Sequence, residues 1–383
     1  GPDFLIMFRI SALDLVEDGL TRAETLTLAR AIEAAGADVL SSGVGWHEAR
    51  VPTIAHMVPR AAWTSFVAPL KLAVSIPVVG SNRINTPEVA EAVIEAGEAD
   101  LIALARPLLS DPDFVAKARD GRADEINTCI ACNQGCLDYI FKGKVCTCLV
   151  NPRACYETEL EIKPAAAAKK LVVVGAGPGG MSYAVTAAKR GHDITIFEAS
   201  DRVGGQFNMA MNIPGKEDYG ETIRYWQAQI KRLGIILHLN KRATMEELLS
   251  GGYDEVILAT GVTPRALDLP GVDNEMVLSY VDVLKDQKAV GHRVAIIGAG
   301  GIGFDIAVFL AHESGPGDPA KLDFDRWLQE WESIATPNMT AACPPPDLAC
   351  HRRGRSPCYN ASHRPWAAAL GLPRAGPLGR SCK

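Results

Sequence analysis

The sequence predicts an α/β protein built on parallel sheets, and three observations predict it. Residues 1–120 repeat a short apolar strand followed by a helical stretch. A glycine-rich turn lies between strand and helix at residues 175–180, and a second one lies at residues 298–303. Repeated βα units pair in parallel because each helix carries the chain back to the same edge of the sheet.

In the first region the strands are expected at Phe4–Ile10, Asp38–Ser42, Ile76–Gly80 and Asp100–Ala105. The helices between them run Arg22–Ala35, Pro87–Ala96 and Pro112–Arg119, and each stops at a glycine: Gly36, Gly97 and Gly121. Glycine ends a helix readily because it takes up a left-handed conformation without steric cost. Polar residues crowd the C-terminal ends of these strands: Arg9, then Trp46 to Arg50, then Asn82 and Arg83, then Arg106. Ligands of α/β proteins sit at that edge. His47 stands there beside a carboxylate and a second cation, which makes it the candidate catalytic residue. If the four strands are the last four of an eight-stranded barrel, Arg83 and Arg106 lie in the loops that commonly bind phosphate.

Bulk properties narrow the function. The 383 residues allow two or three domains, and 48% hydrophobic with 22% charged residues is ordinary for a globular chain. A net charge of −6 without a basic stripe argues against nucleic-acid binding. No apolar run reaches bilayer length and no signal peptide is evident, so the expectation is a cytoplasmic protein without membrane attachment. The chain opens directly on an apolar strand without Met, the mark of a fragment.

Six of the ten cysteines fall between Cys129 and Cys155, a clustering that suggests metal rather than disulfides. Cys129, Cys132, Cys136 and Cys148 have the spacing of a [4Fe–4S] loop, in which each thiolate holds one iron. Zinc is the alternative, although its sites typically use two separated CxxC pairs. Cys146 competes with Cys148 for the fourth position. The cysteine segment is expected to span residues 121–163.

A dinucleotide-binding domain is expected over residues 168–290. Gly175-Ala176-Gly177-Pro178-Gly179-Gly180 follows the strand Leu171–Val174 and opens the helix Met181–Arg190. Gly175 allows the tight turn, Gly177 a close approach of backbone to pyrophosphate, and Gly180 close packing of helix on strand. The helix N-terminus offers free N–H groups to phosphate. Glu198 ends the next strand, Asp193–Phe197, where its carboxylate can accept from ribose hydroxyls. The run Val203-Gly204-Gly205-Gln206 and the strand Val256 to Gly261 are similar to elements that pack against FAD in two-dinucleotide flavoproteins. Gly298, Gly300 and Gly303 repeat the fingerprint after a strand expected at Val294–Ile297, the start of a nicotinamide domain over residues 291–334. Residues 335–383 change character: from Pro337 onward there are eight Pro, six Arg, one acidic residue and no Val, Ile or Phe. Such a segment cannot bury a core.

Taken in order, these motifs resemble the old yellow enzyme and trimethylamine dehydrogenase family of iron–sulfur flavoproteins, and most closely its bacterial 2,4-dienoyl-CoA reductase branch. The likeness runs through Gly45 to Arg50, Asn82 to Asn85, Ala105 to Pro107, Cys129 to Cys136, Cys148 to Arg153, Gly175 to Gly180, Gly204 to Phe207 and Gly298 to Asp305. It implies the C-terminal half of a (β/α)8 FMN barrel, an iron–sulfur loop, and a Rossmann-type FAD domain with the start of an inserted NAD(P)H domain. By this resemblance Arg9, Arg83, Ala105 and Arg106 contact FMN. His47, Glu48, Ala49 and Arg50 line the acyl-CoA pocket, with His47 assisting at the substrate. Gly179 and Gln206 join the other dinucleotide-site residues, and the full-length enzyme acts as a monomer. Electrons would pass from NADPH through FAD and the [4Fe–4S] cluster to FMN, and then to a 2,4-dienoyl-CoA in unsaturated fatty acid β-oxidation. The choice between NADPH and NADH stays open, because the strand that would carry the deciding residue lies beyond the recognisable sequence. Another enoate reductase, an amine dehydrogenase of the same family, and a non-catalytic electron-transfer module are the alternatives. Since the tyrosine acid and half the barrel would lie upstream, the chain is expected to be inactive by itself.

Overall fold

The computed structural model describes residues 3–46, 48–265, 267–311 and 324–332. Two separate four-stranded sheets, both entirely parallel, organise them.

The first sheet runs in chain order: β1 (Met7–Leu13), β2 (Val39–Val44), β3 (Val78–Gly80) and β4 (Leu101–Ile102). The helix Arg22–Ala34 crosses from β1 to β2, and its start is legible in the sequence. The Thr21 hydroxyl accepts from the Glu24 N–H while the Glu24 carboxylate accepts from the Thr21 N–H, so each end of the motif satisfies an orphan donor. The helix Pro87–Glu95 uses Thr86 as its cap and Pro87 in its first turn. Ile10, Ala29, Ile32, Leu40, Val67, Leu70 and Val78 form the core between these helices and the sheet.

Strand limits depart from the sequence expectation for one reason, which is pairing. β1 begins at Met7 rather than Phe4 because its neighbour begins at Val39, opposite Met7. β4 shrinks to two residues because β3 pairs with it only through Val79 and Gly80, and because the chain enters the helix Arg106–Ser110 just beyond.

The second sheet has the order β7-β6-β5-β8, from β5 (Lys170–Val174), β6 (Asp193–Phe197), β7 (Ile236–His238) and β8 (Glu255–Leu258). This outward-then-back order places a topological switch beside β5. The helix Pro178–Lys189 follows β5, starting three residues before the expected Met181 because Gly177 serves as its cap. The helix Tyr219–Leu233 packs on it, with Ile223 and Trp226 joining Met181, Ala184, Ile194 and Ile196 in one core. Gly234 ends that helix in the left-handed conformation at φ 65°.

The strand expected at Val294–Ile297 does not form. A strand needs a neighbour, and no strand among the described residues pairs with this stretch. The helix Gly301–Ala311 that follows does form, and Ile306 packs against Ile213, Val283 and Leu284. A last helix, Phe324–Glu332, returns to the first module. Trp327 meets Trp63 edge-on, with ring centroids 5.8 Å apart. The expectation for residues 335–383 lies outside the described residues.

Candidate cofactor sites

At the end of β5 the fingerprint glycines act as their chemistry requires. Gly175 has φ +108°, and a Cβ there would lie 2.3 Å from the Ala259 carbonyl oxygen. The turn after β8 can close on the fingerprint only over a glycine. A Cβ on Gly180 would lie 1.9 Å from the Gly175 oxygen, so this position is closed to every other residue. Around Gly177 the nearest atom to such a Cβ is Gly205 Cα at 3.9 Å, and around Gly179 nothing lies within 4 Å. The helix N-terminus is therefore open on the side a pyrophosphate would approach.

Two pieces read as separate motifs in the sequence come together here. The Gly204 N–H donates to the Ala176 carbonyl, 2.9 Å away, and Gly205 is stacked so closely on Gly177 that a Cβ would fall 2.9 Å from its Cα. Thr260 approaches Gly175 from the other side. The loop Val203–Gln206 and the turn after β8 thus both border the fingerprint, with Gln206 exposed at the rim.

Glu198 holds the turn itself. Its carboxylate accepts from the Ala176 N–H at 2.7 Å and from both the N–H and the hydroxyl of Ser200 at 2.8 Å. Burial works against its charge, yet these donors hold the carboxyl below the usual range. Oε1 takes both Ser200 donors, so the lone pair left for a ribose hydroxyl is on Oε2.

The second fingerprint repeats the first without its strand. Gly298 has φ +110°, and a Cβ on Gly303 would lie 2.1 Å from the Gly298 oxygen, while Gly300 has nothing within 4 Å. The turn is built by short-range contacts, so it survives where the sheet does not.

In the cysteine segment Gly135 brings the two arms together. A Cβ on it would lie 3.1 Å from Leu149 N and 3.2 Å from Cys148 Cα, and the Thr147 N–H donates to the Gly135 carbonyl at 2.7 Å. Backbone N–H groups are aimed at the sulfurs: Ala131 at Cys129, Gln134 at Cys132, and Val150 and Asn151 at Cys148. Cys146 instead donates to the Thr147 carbonyl at 3.8 Å, with the Cys155 thiol nearby. Burial pushes the Cys129 and Cys132 thiols up and the Cys148 thiol up to about 12, while Arg106 pulls Cys129 back. Among the described residues no group of three or more His, Cys, Asp or Glu side chains is gathered tightly enough for a single metal ion. A cluster asks for something different, one thiolate at each iron and N–H donors to the sulfurs. The donor set at Cys129, Cys132 and Cys148 fits that requirement.

At the strand ends of the first module the predicted residues separate. Arg9 is exposed, with its guanidinium against Gly43. Glu48 and Arg50 are exposed and Ala49 is half-buried, while His47 lies outside the described residues. Ala105 is exposed, and Arg106 donates to the Asn133 side chain inside the cysteine loop at 2.8 Å. Arg83 is buried: its Nε donates to the Val58 carbonyl at 2.7 Å and its Nη2 to Asp218 at 2.8 Å. Asn82 and Arg83 both have positive φ, 74° and 55°, a strained pair of the kind that collects at functional loops. Asn85 in the same loop donates to the Cys129 carbonyl at 2.9 Å. Asp218 carried no motif, because its partners Arg60 and Arg83 lie 158 and 135 residues away.

The architecture is that of four parallel strands of a half (β/α)8 barrel joined to a dinucleotide-binding domain, and comparison with known proteins agrees. Residues 1–125 match the NADH:flavin oxidoreductase / NADH oxidase family and residues 169–315 match the pyridine nucleotide-disulphide oxidoreductases. With both modules in one chain, the protein is a relative of the flavoproteins of old yellow enzyme and trimethylamine dehydrogenase type. It is 38% identical to a metal reductase of Desulforamulus reducens over 85% of this chain and 49% of that protein. It is 32% identical to a cinnamate reductase of Clostridium sporogenes over 82% and 49%. A solved structure of 2-naphthoyl-CoA reductase in complex with 2-naphthoyl-CoA superposes with a TM-score of 0.78 at 35% identity, covering 85% of this chain and 52% of that one. The chain spans about half the length of the curated relatives it matches. Among the described residues no helix is long and apolar enough to cross a membrane.

Proposed function

We propose that the chain is the cluster- and FAD-bearing part of an NAD(P)H-dependent flavin reductase whose substrate is a conjugated acyl thioester, with 2,4-dienoyl-CoA as the substrate class. The observation that carries this reading is the cysteine loop that follows the first sheet and precedes the second in the chain, with backbone N–H groups aimed at Cys129, Cys132 and Cys148. The relatives named for 2-naphthoyl-CoA and cinnamate support it, since both compounds have an acyl carbon conjugated to unsaturation, as a dienoyl thioester does.

The chain's own residues have defined tasks in this reading. Gly175, Gly177, Gly179 and Gly180 present the helix N-terminus to the FAD pyrophosphate, and Glu198 accepts from the ribose. Gln206 borders the same site, while Gly298, Gly300 and Gly303 serve the nicotinamide cofactor. Arg9, Ala105 and Arg106 face FMN from the strand ends, and Arg83 supports that loop from behind through Asp218. Cys129, Cys132, Cys136 and Cys148 hold the cluster. His47 assists at the substrate, and Glu48, Ala49 and Arg50 line its pocket. When bound, the cluster passes single electrons between the two flavins, which exchange hydride with nicotinamide and substrate.

Anaerobic reconstitution of the chain with iron, sulfide and FAD tests the reading. About four irons per chain are expected. Cys148→Ser should abolish the brown absorbance and Cys146→Ser should keep it, because Cys146 donates to the Thr147 carbonyl instead. Binding of zinc with no iron would overturn the proposal.

A further inference from the structure

The helix Tyr219–Leu233 has two working faces. Ile223 and Trp226 point one way, into the core shared with the fingerprint helix, and Ile223 also backs Gly204 so closely that a Cβ on that glycine would lie 2.9 Å away. Asp218, Glu221 and Arg224 serve the other side, a spacing of three that lines them up along one stripe.

Arg224 uses its whole fork. Its Nε donates to Glu221 at 2.7 Å, its Nη1 reaches the carbonyls of Ala123 and Asp124, and its Nη2 donates to the Ile126 carbonyl at 2.9 Å and the Thr128 hydroxyl at 3.0 Å. Thr128 precedes Cys129. Asp218 holds Arg60 and Arg83, and the loop that Arg83 begins ends at Asn85, whose amide donates to the Cys129 carbonyl. The backbone around Cys129 is therefore gripped on both sides by chains of contact that start from one helix.

We infer that Arg224 and Asp218 are positioning residues that lock Cys129 between the two modules, so that the dinucleotide domain sets where the first cluster ligand stands. This rests on the cysteine loop holding a cluster, as proposed above. Only a planar guanidinium can address so many acceptors at fixed angles, so a lysine retains the charge and loses the grip. Without the fork, carbonyls of a largely buried segment are left without these donors.

The test uses the full chain with FAD, comparing wild type with Arg224→Met, Arg224→Lys and Asp218→Asn. Hydrogen exchange of the apo-cluster protein is read first. Amides of residues 123–133 should exchange at least tenfold faster in both Arg224 variants, with those of β5 and β6 unchanged. Asp218→Asn should do the same for residues 83–86 and 129. After anaerobic loading with iron and sulfide, both Arg224 variants should lose iron to a chelator at least fivefold faster and show a shifted electron paramagnetic resonance signal of the reduced cluster. Unchanged exchange in Arg224→Met and Arg224→Lys would overturn the inference whether or not iron binds, and so would wild-type behaviour of Arg224→Lys. Failure of the wild type to take up iron would overturn the cluster reading alone, since the exchange experiment needs no metal. If Arg224→Met fails to take up FAD, Arg224→Lys, which keeps the aliphatic stem, carries the test.

Discussion

One methyl group separates two adjacent glycines of the fingerprint. Gly179 has open space where a side chain would begin, whereas Gly180 would drive a Cβ to 1.9 Å from the Gly175 oxygen. Gly179→Ala should therefore fold and stay at wild-type stability, with its effect confined to FAD affinity. Gly180→Ala should part helix from strand, lose FAD, and destabilise the second module by about 1–3 kcal/mol, the usual cost of overpacking. Flavin fluorescence titration and urea unfolding of the two variants check this, and equal behaviour of the pair would contradict it. The same logic separates Gly303 from Gly300. At this scale the sequence was informative, because a left-handed turn or a close backbone contact is a demand on one residue type. The buried partner of Arg83 was not legible there: a lone arginine after a strand gives no sign of an aspartate 135 residues away.

Among the elements, the helix Phe324–Glu332 does most with the least sequence signal. It lies at the margin of the recognisable sequence, yet Trp327 is only 6% exposed and Phe324 stacks beside it, both against Trp63 of the first module. Trp63 is fully buried and also touches Phe66, so the helix closes a cluster that would otherwise be open. Trp327→Ala should cost about 3–5 kcal/mol, as expected for a large buried aromatic. Tryptophan fluorescence on thermal unfolding should show the first module melting earlier while the FAD-linked transition holds. A variant with both transitions unmoved would show that the helix does not contribute to the core. The contrasting case is the stretch Val294–Ile297, strongly strand-like in sequence and not a strand in the structure. β-propensity describes a fit to neighbours, and no strand among the described residues pairs with this stretch.

For the whole molecule, the docking of one sheet module on the other depends on a buried charge. Asp218 is 2% exposed; burial opposes its ionisation, but Arg83 and Arg60 outweigh it and hold its carboxyl below the ordinary range. Because the folded value is depressed, the pair stabilises the protein above the unfolded carboxyl value of about 3.9, and that contribution is lost as pH falls through the folded value. Asp218→Asn should leave the buried Arg83 guanidinium uncompensated, while Arg60 keeps Glu221, and cost about 3–5 kcal/mol at pH 7. The gap in melting temperature between wild type and variant should stay constant from pH 7 to about 5 and narrow as acid protonates Asp218. A gap that persists unchanged at pH 3 would assign the stabilisation to packing instead. The remaining surface carries its own signature: Phe4, Leu5, Ile6, Met7 and Phe8 stand exposed at the open edge of the first sheet, an apolar strand edge of the kind that pairs with further strands.

The sequence by itself determined what short-range physics controls. Glycines 175, 180, 298 and 303 announced their turns because backbone sterics act within a few residues, and Gly36 and Gly97 announced helix ends for the same reason. The parallel sheets followed from the alternation of strand and helix. The spacing of Cys129, Cys132 and Cys136 pointed to a compact thiolate loop for the same local reason. Only the tertiary structure decided which residues meet across the chain: Asp218 with Arg60 and Arg83, Arg224 with the segment before Cys129, and Gly205 with Gly177. It also decided where each strand stops and that residues 293–297 are not one. Those outcomes depend on partners up to 158 residues away, and which partner arrives is settled by the packing of whole elements, on which the local pattern is silent.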